Sequence, residues 1–374
     1  MKKSIFLFLT TFYVWGSFSC SERGELNNDD TKYFKAPASL DSVVNSEKLN
    51  YKIDTLITGL QNPWSLLFMP NGDLLIAERA GEIKIVRDGN MMDSTITGLP
   101  EIYAKGQGGL LELRLHPKYE ENGWIYLAYS APGEGGGNTA IMRAKLNGLE
   151  LTEQEVLFQA TPYSEKGQHF GCRIRFDDDG YMFFSVGDRG NWDNAQDLTN
   201  HSGKVHRLHD DGSVPDDNPF VNDPEAMPSI FTYGNRNPQG MDIHPDSREV
   251  WTHEHGPKGG DEINIIKKGT NYGWPLITYG INYNGDTITP HTEMEGMAQP
   301  LHYWNPSIAP CGMTFVTSDK YPNWKNNLLV GSLSFRYVAR CEIENDKVVH
   351  EERILDGLGR IRTIEEGPDG YLYV

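Results

Sequence analysis

One pattern constrains this chain more than any other: a Gly, Asp or Asn turn followed at once by a short apolar strand, met six times. Asn71-Gly72, Asn122-Gly123 and Asp179-Gly180 precede Leu74 to Ile76, Trp124 to Tyr126 and Tyr181 to Val186. Pro245-Asp246, Asn326-Asn327 and Asp369-Gly370 precede Val250-Trp251, Leu328 to Val330 and Tyr371 to Val374. Such turns supply the positive φ that tight hairpins need, so each marks a hairpin. Hairpin units repeated along a chain predict a β-propeller, and six units predict an all-β, six-bladed propeller in one domain over residues 51–374. No stretch of fifteen residues carries a helical stripe, which counts against a doubly wound α/β enzyme. In a propeller the ligand pocket is assembled from loops far apart in sequence.

The amino terminus reads differently. Lys2 and Lys3 precede an apolar run from Ile5 to Trp15, then Ser17-Phe18-Ser19 and Cys20, the pattern of an export signal over residues 1–20. The run is too short to span a bilayer. Cys20, placed after the expected cut, resembles the acylated cysteine of bacterial lipoproteins, although Phe18 and Ser17 depart from the usual lipobox. An exported, periplasmic or outer-membrane-anchored chain is expected, touching the membrane only through a lipid at Cys20. Residues 21–50 are polar and aperiodic, as in a flexible tether. If Val374 is the natural end, closure of the sixth blade differs from the usual scheme in which an amino-terminal strand completes the last sheet; a shortened chain would leave a strand edge exposed.

A formal net charge of -18 argues against nucleic acid as a partner. Cys172, Cys311 and Cys341 have no CxxC spacing and are expected to be packing residues. Gly106 to Gly109 reads GQGG rather than GxGxxG, and no P-loop occurs, so nucleotide cofactors are not expected.

Several stretches carry chemistry. In His253 to Trp274, Gly256-Pro257 can turn main-chain oxygens toward a hard cation such as calcium, and the same residues suit a tight loop between strands. Gln107, flanked by glycines, can lean into a pocket as donor and acceptor. His169, between Gln168 and Phe170, has the side-chain type suited to proton abstraction near neutrality, its tautomer set by Gln168 or a backbone group. Asp177 to Asp179 suits a solvated turn. Gly187 to Gly212 reads as an elaborated polar loop on the rim, with little core potential. Arg236 beside Asn237 can present a planar cation to a carboxylate or carbonyl. Arg360 and Arg362, two apart, would face one side of a strand, where paired cations need an anion from the protein or from a ligand.

Four segments in order, GQGGLLELRLHP, HFGCRIRFDDDGYMFFSVGDRG, YGNRNPQGM and HEHGPKGGDEINIIKKGTNYGWP, resemble the soluble glucose/sorbosone dehydrogenase family that depends on pyrroloquinoline quinone (PQQ), in particular its aldose sugar dehydrogenases. The resemblance runs from about Leu56 to Val374. It implies a six-bladed propeller holding PQQ and calcium over its axial end, oxidation of an aldose at the anomeric carbon to the lactone, and an external electron acceptor. It further implies that His169 is the general base, that Gln107 lies beside quinone and sugar, and that Arg236 and Asn237 polarise the quinone carbonyl. Ser307, Arg360 and Arg362 fall among the cofactor-binding positions. Gly256 and Pro257 match the main-chain ligands of the cofactor calcium, and Glu262 and Tyr272 the region of a second calcium. The chain departs from the pattern at Ser334, where relatives carry lysine, at Gln168 for aspartate and at Ser307 for threonine. Ser334 also leaves room for a propeller that binds sugar or another partner without redox chemistry. A calcium-dependent lactone hydrolase is a third reading, one that wants inward carboxylates on the axis instead of Gly256 and Pro257 carbonyls.

Overall fold

The computed structural model describes residues 43–374 and the backbone of Lys3–Leu9. Six sheets are arranged as the blades of a propeller. Blade 1 is Pro63–Phe68, Leu74–Glu78, Glu82–Arg87 and Asn90–Thr95; blade 2 is Leu110–Leu115, Trp124–Gly133, Gly136–Asn147 and Glu150–Gln159. Blade 3 comprises Ile174–Phe176, Met182–Val186, Lys204–Leu208 and Ile230–Tyr233; blade 4 comprises Pro238–Ile243, Val250–Glu254, Asp261–Ile265 and His302–Trp304. Blade 5 is Pro310–Phe315, Leu328–Ser332, Val338–Glu344 and Lys347–Ile354. These five are antiparallel throughout. The sixth sheet joins Glu365–Glu366 and Leu372–Tyr373 to Asn50–Thr58 and Val44–Asn45, with Lys3–Leu9 parallel to both neighbours in between.

Each of the six predicted turns leads into the second strand of a blade, which is why the repeat was visible at irregular spacing. Gly72 and Gly180, at φ +91 and +85, show the left-handed geometry those turns require. Residues 43–50, expected in the tether, instead lie on the propeller: the Glu47 N–H donates to Glu352 Oε1 at 2.7 Å, and Glu47 faces His350 and Arg340. The rest of the expected tether, most of the export signal and Cys20 lie outside the described residues.

One apolar cluster fills each junction between neighbouring blades, six in all. Leu75, Leu113 and Leu127 pack between blades 1 and 2, Trp251, Phe315 and Val330 between blades 4 and 5, and Ile57, Leu66 and Tyr373 close the ring. At about 25 cal/mol per Å² of apolar surface, these layers carry most of the stabilisation. Cys172, Cys311 and Cys341 are buried free thiols within or beside them.

The first strands surround the axis, which is filled by charged side chains. Glu112 receives Arg173 Nη1 at 2.6 Å, Arg175 Nη1 at 3.0 Å and Arg114 Nη2 at 3.0 Å. Arg175 also reaches Asp242 and Glu365. Burial acts to raise the Glu112 carboxyl, and the three guanidinium groups outweigh it and hold the group below its usual range.

His253, fully buried on blade 4, is pushed down to about 3 by burial. The folded chain therefore holds it neutral, while the unfolded chain protonates it below about pH 6.5. Its contribution to stability is present above that pH and is lost as pH falls toward the folded value. Between pH 7 and pH 5 the wild-type chain should lose about 2 kcal/mol more than His253→Gln, read from urea midpoints. Equal losses would overturn this account.

Candidate active site

His169 sits between blades 2 and 3 at φ +58, a conformation that non-glycine residues adopt at a cost and that clusters at functional sites. Three contacts hold it there. Its N–H donates to Gln107 Oε1 at 2.9 Å, its Nδ1 lies 2.6 Å from Asp188 Oδ1, and Arg189, buried against the Phe170 ring, donates to the carbonyls of Gly137, Lys166 and Gln168. Gly187 permits the approach, since a Cβ there would meet the His169 carbonyl oxygen at 2.3 Å. Among the described residues none bonds His169 Nε2, so this nitrogen is the one available to a ligand. Burial and the charge of Arg236 push the imidazole below its ordinary value, with Asp188 opposing. Burial alone would raise Asp188; bonds from His169 and Gly190 and the Arg236 charge hold it below. Both directions describe a neutral imidazole oriented by an ionised carboxylate at neutral pH.

Arg236 and Asn237 follow blade 3. Glu254, on the second strand of blade 4, accepts from the N–H groups of Arg236 and Asn237 and from Asn235 Nδ2. The Arg236 Nη1 donates to the carbonyls of His255 and Gly256 at 3.0 and 2.8 Å, which brings it against the Gly256-Pro257 turn. That turn is tight: a Cβ on Gly256 would meet the Gly259 carbonyl oxygen at 2.2 Å. Arg236 Nε and Asn237 Nδ2 are buried without a hydrogen-bond partner among the described residues, and such donors mark a place for an acceptor.

Arg360 and Arg362 do not lie on a strand. They occupy an irregular segment before blade 6, pinned by the Ile361 N–H on the Ser332 carbonyl. Arg360 Nη1 donates to Leu333 O at 3.2 Å and Arg362 Nη1 to Gln239 Oε1 at 3.0 Å. Burial first, then the charges of Arg362 and Arg336, lowers Arg360; burial and Arg362 also lower Arg79. Four guanidinium groups thus crowd one end of the axis, and among the described residues no carboxylate forms an ion pair with any of them.

Glu262 faces Glu254 in a small cavity that Gly256, Tyr272 and Trp274 also line. Burial and the Glu254 charge raise Glu262, and burial raises Glu254. Two facing carboxyl groups of this kind suit a hard cation. The Tyr272 hydroxyl is turned away, donating to Ile265 O and accepting from Lys267 N, so only its carbonyl can serve a metal. A surface depression lined by Phe68, His116, Tyr119 and Glu366 opens at the far ends of the first strands and holds none of these residues.

The structure therefore brings Gln107, His169, Arg236, Asn237, Gly256, Pro257, Arg360 and Arg362 to one axial end. It corrects two expectations and adds a partner for Ser307. The His169 tautomer is set by Asp188; Gln168 is exposed. The Ser307 hydroxyl lies 2.8 and 2.9 Å from the Asp261 oxygens, and Asp261 accepts from the Gly256 N–H, so Ser307 braces the turn. The polar stretch from Gly187 contains fully buried Asp188, Arg189 and Lys204 beside exposed Asn191, Asp193, Asp197 and Thr199, so only part of it is surface loop. Asp188, Glu254 and Trp274 went unrecognised in the sequence. For Asp188 a signal existed: a carboxylate between two glycines at the end of an apolar strand.

The family model described as glucose/sorbosone dehydrogenase matches residues 60–374. The aldose sugar dehydrogenase YliI of Escherichia coli is 43% identical over 347 residues, covering 91% of this chain and 90% of that protein. The apo crystal structure of the soluble E. coli aldose sugar dehydrogenase superposes with a TM-score of 0.81 at 42% identity, covering 84% of this chain and 92% of that one. The PQQ-bound aldose sugar dehydrogenase of Streptomyces coelicolor superposes with a TM-score of 0.68 at 26% identity, over 83% and 86% of the two chains. With the His169-Asp188 pair and the crowded guanidinium groups at one end of a six-bladed ring, these matches mean that the chain belongs to the glucose/sorbosone dehydrogenase family.

Proposed function

We propose that this chain oxidises an aldose at its anomeric carbon to the lactone, with PQQ as acceptor and calcium as its counter-ion. The observation that carries this reading is the cluster of guanidinium groups without carboxylate partners beside the neutral, Asp188-oriented His169. Such a cluster wants a polyanion, and PQQ carries three carboxylates. The PQQ-bound relative from S. coelicolor supports the cofactor. When bound, the quinone accepts the hydride from the anomeric carbon, and calcium polarises it.

The chain's own residues do the rest. His169 Nε2 takes the proton of the anomeric hydroxyl, and Asp188 stabilises the imidazolium that forms. Arg360 and Arg362 hold the quinone carboxylates, and Arg336, whose charge is felt at Arg360, supplies the cation that Ser334 lacks. The unpartnered donors on Arg236 and Asn237 would serve quinone oxygens, and Gln107 fixes the His169 backbone. Gly256 and Pro257 offer carbonyls to the cofactor calcium; Glu262, Glu254 and the Tyr272 carbonyl offer a second site. An external acceptor would take up the two electrons, and an exported location would suit that exchange. The axial carboxylates Glu112, Asp242 and Glu365 are each bonded to arginine, which does not favour the hydrolase reading.

In calcium buffer, PQQ should bind with a calorimetric signal, and aldoses should reduce a dye. Chelating calcium with EDTA should remove dye reduction, and calcium should restore it. Sugar binding that is indifferent to PQQ, with no dye reduced across an aldose panel, would leave the non-redox binding propeller in its place.

A further inference from the structure

The Asp188 carboxylate makes three bonds, and only one is to the base it orients. Oδ1 also accepts from the Gly190 N–H at 2.6 Å, and Oδ2 accepts from the Trp274 indole Nε1 at 2.9 Å. Trp274 is 4% exposed and comes from the long connection between the third and fourth strands of blade 4, 86 residues away in sequence. Its backbone is pinned by an N–H to Gly234 O at 2.8 Å and by Gln196 Nε2 on its carbonyl at 2.7 Å. Its ring packs edge-to-face on Trp192, centroids 5.5 Å apart, and lies 5.3 Å from the Arg236 guanidinium. One indole therefore touches the carboxylate that orients the base, the cation beside it, and the wall of the Glu254-Glu262 cavity.

We propose that Trp274 is a positioning residue that holds the Asp188 carboxylate, and through it the His169 ring, in the orientation the oxidation uses. The proposal rests on the base role given to His169 above. A buried carboxylate with an indole donor shares part of its charge with that donor. Without it, the same charge falls on the His169 side and favours the imidazolium. The other charged groups facing this pair are Arg189 on the same loop, Arg236 from the end of blade 3 and Lys204 behind Asp188. None of them replaces a donor on Oδ2.

Trp274→Phe keeps the ring and removes the N–H. In the apo protein, the His169 imidazole followed by NMR should titrate about one unit higher than in the wild type. The acid limb of kcat/KM in the loaded enzyme should move the same way. Asp188→Asn should erase the difference between Trp274 and its Phe variant. If Trp274→Phe does not fold, the wild-type chain labelled with 5-fluorotryptophan serves: one fluorine resonance should follow the His169 titration and stop following it in His169→Asn. A lowered Tm with an unmoved His169 titration, or no fluorine resonance tracking it, overturns the proposal. Full dye reduction by His169→Asn would instead overturn the base role itself, so the two failures are distinguishable.

Discussion

Replacing His169 by asparagine should lower turnover of the PQQ-loaded protein by about 10²- to 10⁴-fold, the range lost when a positioned general base is removed. Asparagine retains an amide to face Asp188 but offers no basic nitrogen where Nε2 stood. PQQ affinity should stay within a few-fold of the wild type, because the guanidinium groups at the axial end are untouched. The pH dependence follows from the same geometry. Burial and Arg236 keep the imidazole below its ordinary value, so the base is neutral at pH 7 and activity declines only as pH falls through that lowered value. Single-turnover reduction of the bound quinone by excess sugar separates chemistry from re-oxidation. A variant within ten-fold of wild type in that measurement would remove His169 from the reaction.

The second large effect is on stability. Glu112→Ala should destabilise the chain by about 3–5 kcal/mol, the cost of breaking a buried pair by removing one partner. Arg173 and Arg175, whose side chains are 2% and 8% exposed, would be left facing each other on the axis without the carboxylate between them. Glu112→Gln should cost less, because the amide oxygen still accepts one of the three bonds. The readout is the urea midpoint of each variant, with the slope checked for a two-state transition. A loss under about 1 kcal/mol for alanine would mean that Asp242 and Glu365 carry the balance of charge on the axis. A secondary effect is expected at the site, because Arg173 Nη2 donates to the Arg362 carbonyl at 2.8 Å.

The fold was legible because its signal is local. Five of the six turns before a second strand put a glycine or asparagine at positive φ in plain view, Gly72, Gly123, Gly180, Asn326 and Gly370; before Val250 that residue is Arg248. Residues bearing unusual chemistry on short loops were also legible: Gln107, His169, Arg236 and the Gly256-Pro257 turn. The partners that make them work were not. Asp188 and Trp274 are 86 residues apart, and nothing in their flanking residues says that one bonds the other. Polarity misled at Lys204, which is buried because the Asn194 and Ser202 carbonyls receive its ammonium group. Composition likewise placed residues 43–50 in a tether, whereas charge pairing with Arg340 and His350 seats Glu47 on the ring.

The closed ring has a consequence for how specificity can change. Each blade leans on two neighbours through its own apolar layer, and the axial arginines tie blades 2, 3, 4 and 6 together. The separation between the base and the cation therefore depends on the whole circuit, with Trp274 as a local brace on Asp188. Leu276, Ile281 and Tyr283, all more than 40% exposed in the long excursion of blade 4, lie outside that circuit. Such a segment can be lengthened, shortened or exchanged to admit a different sugar while the reacting groups keep their spacing, which makes it the natural place to begin redesign of substrate range.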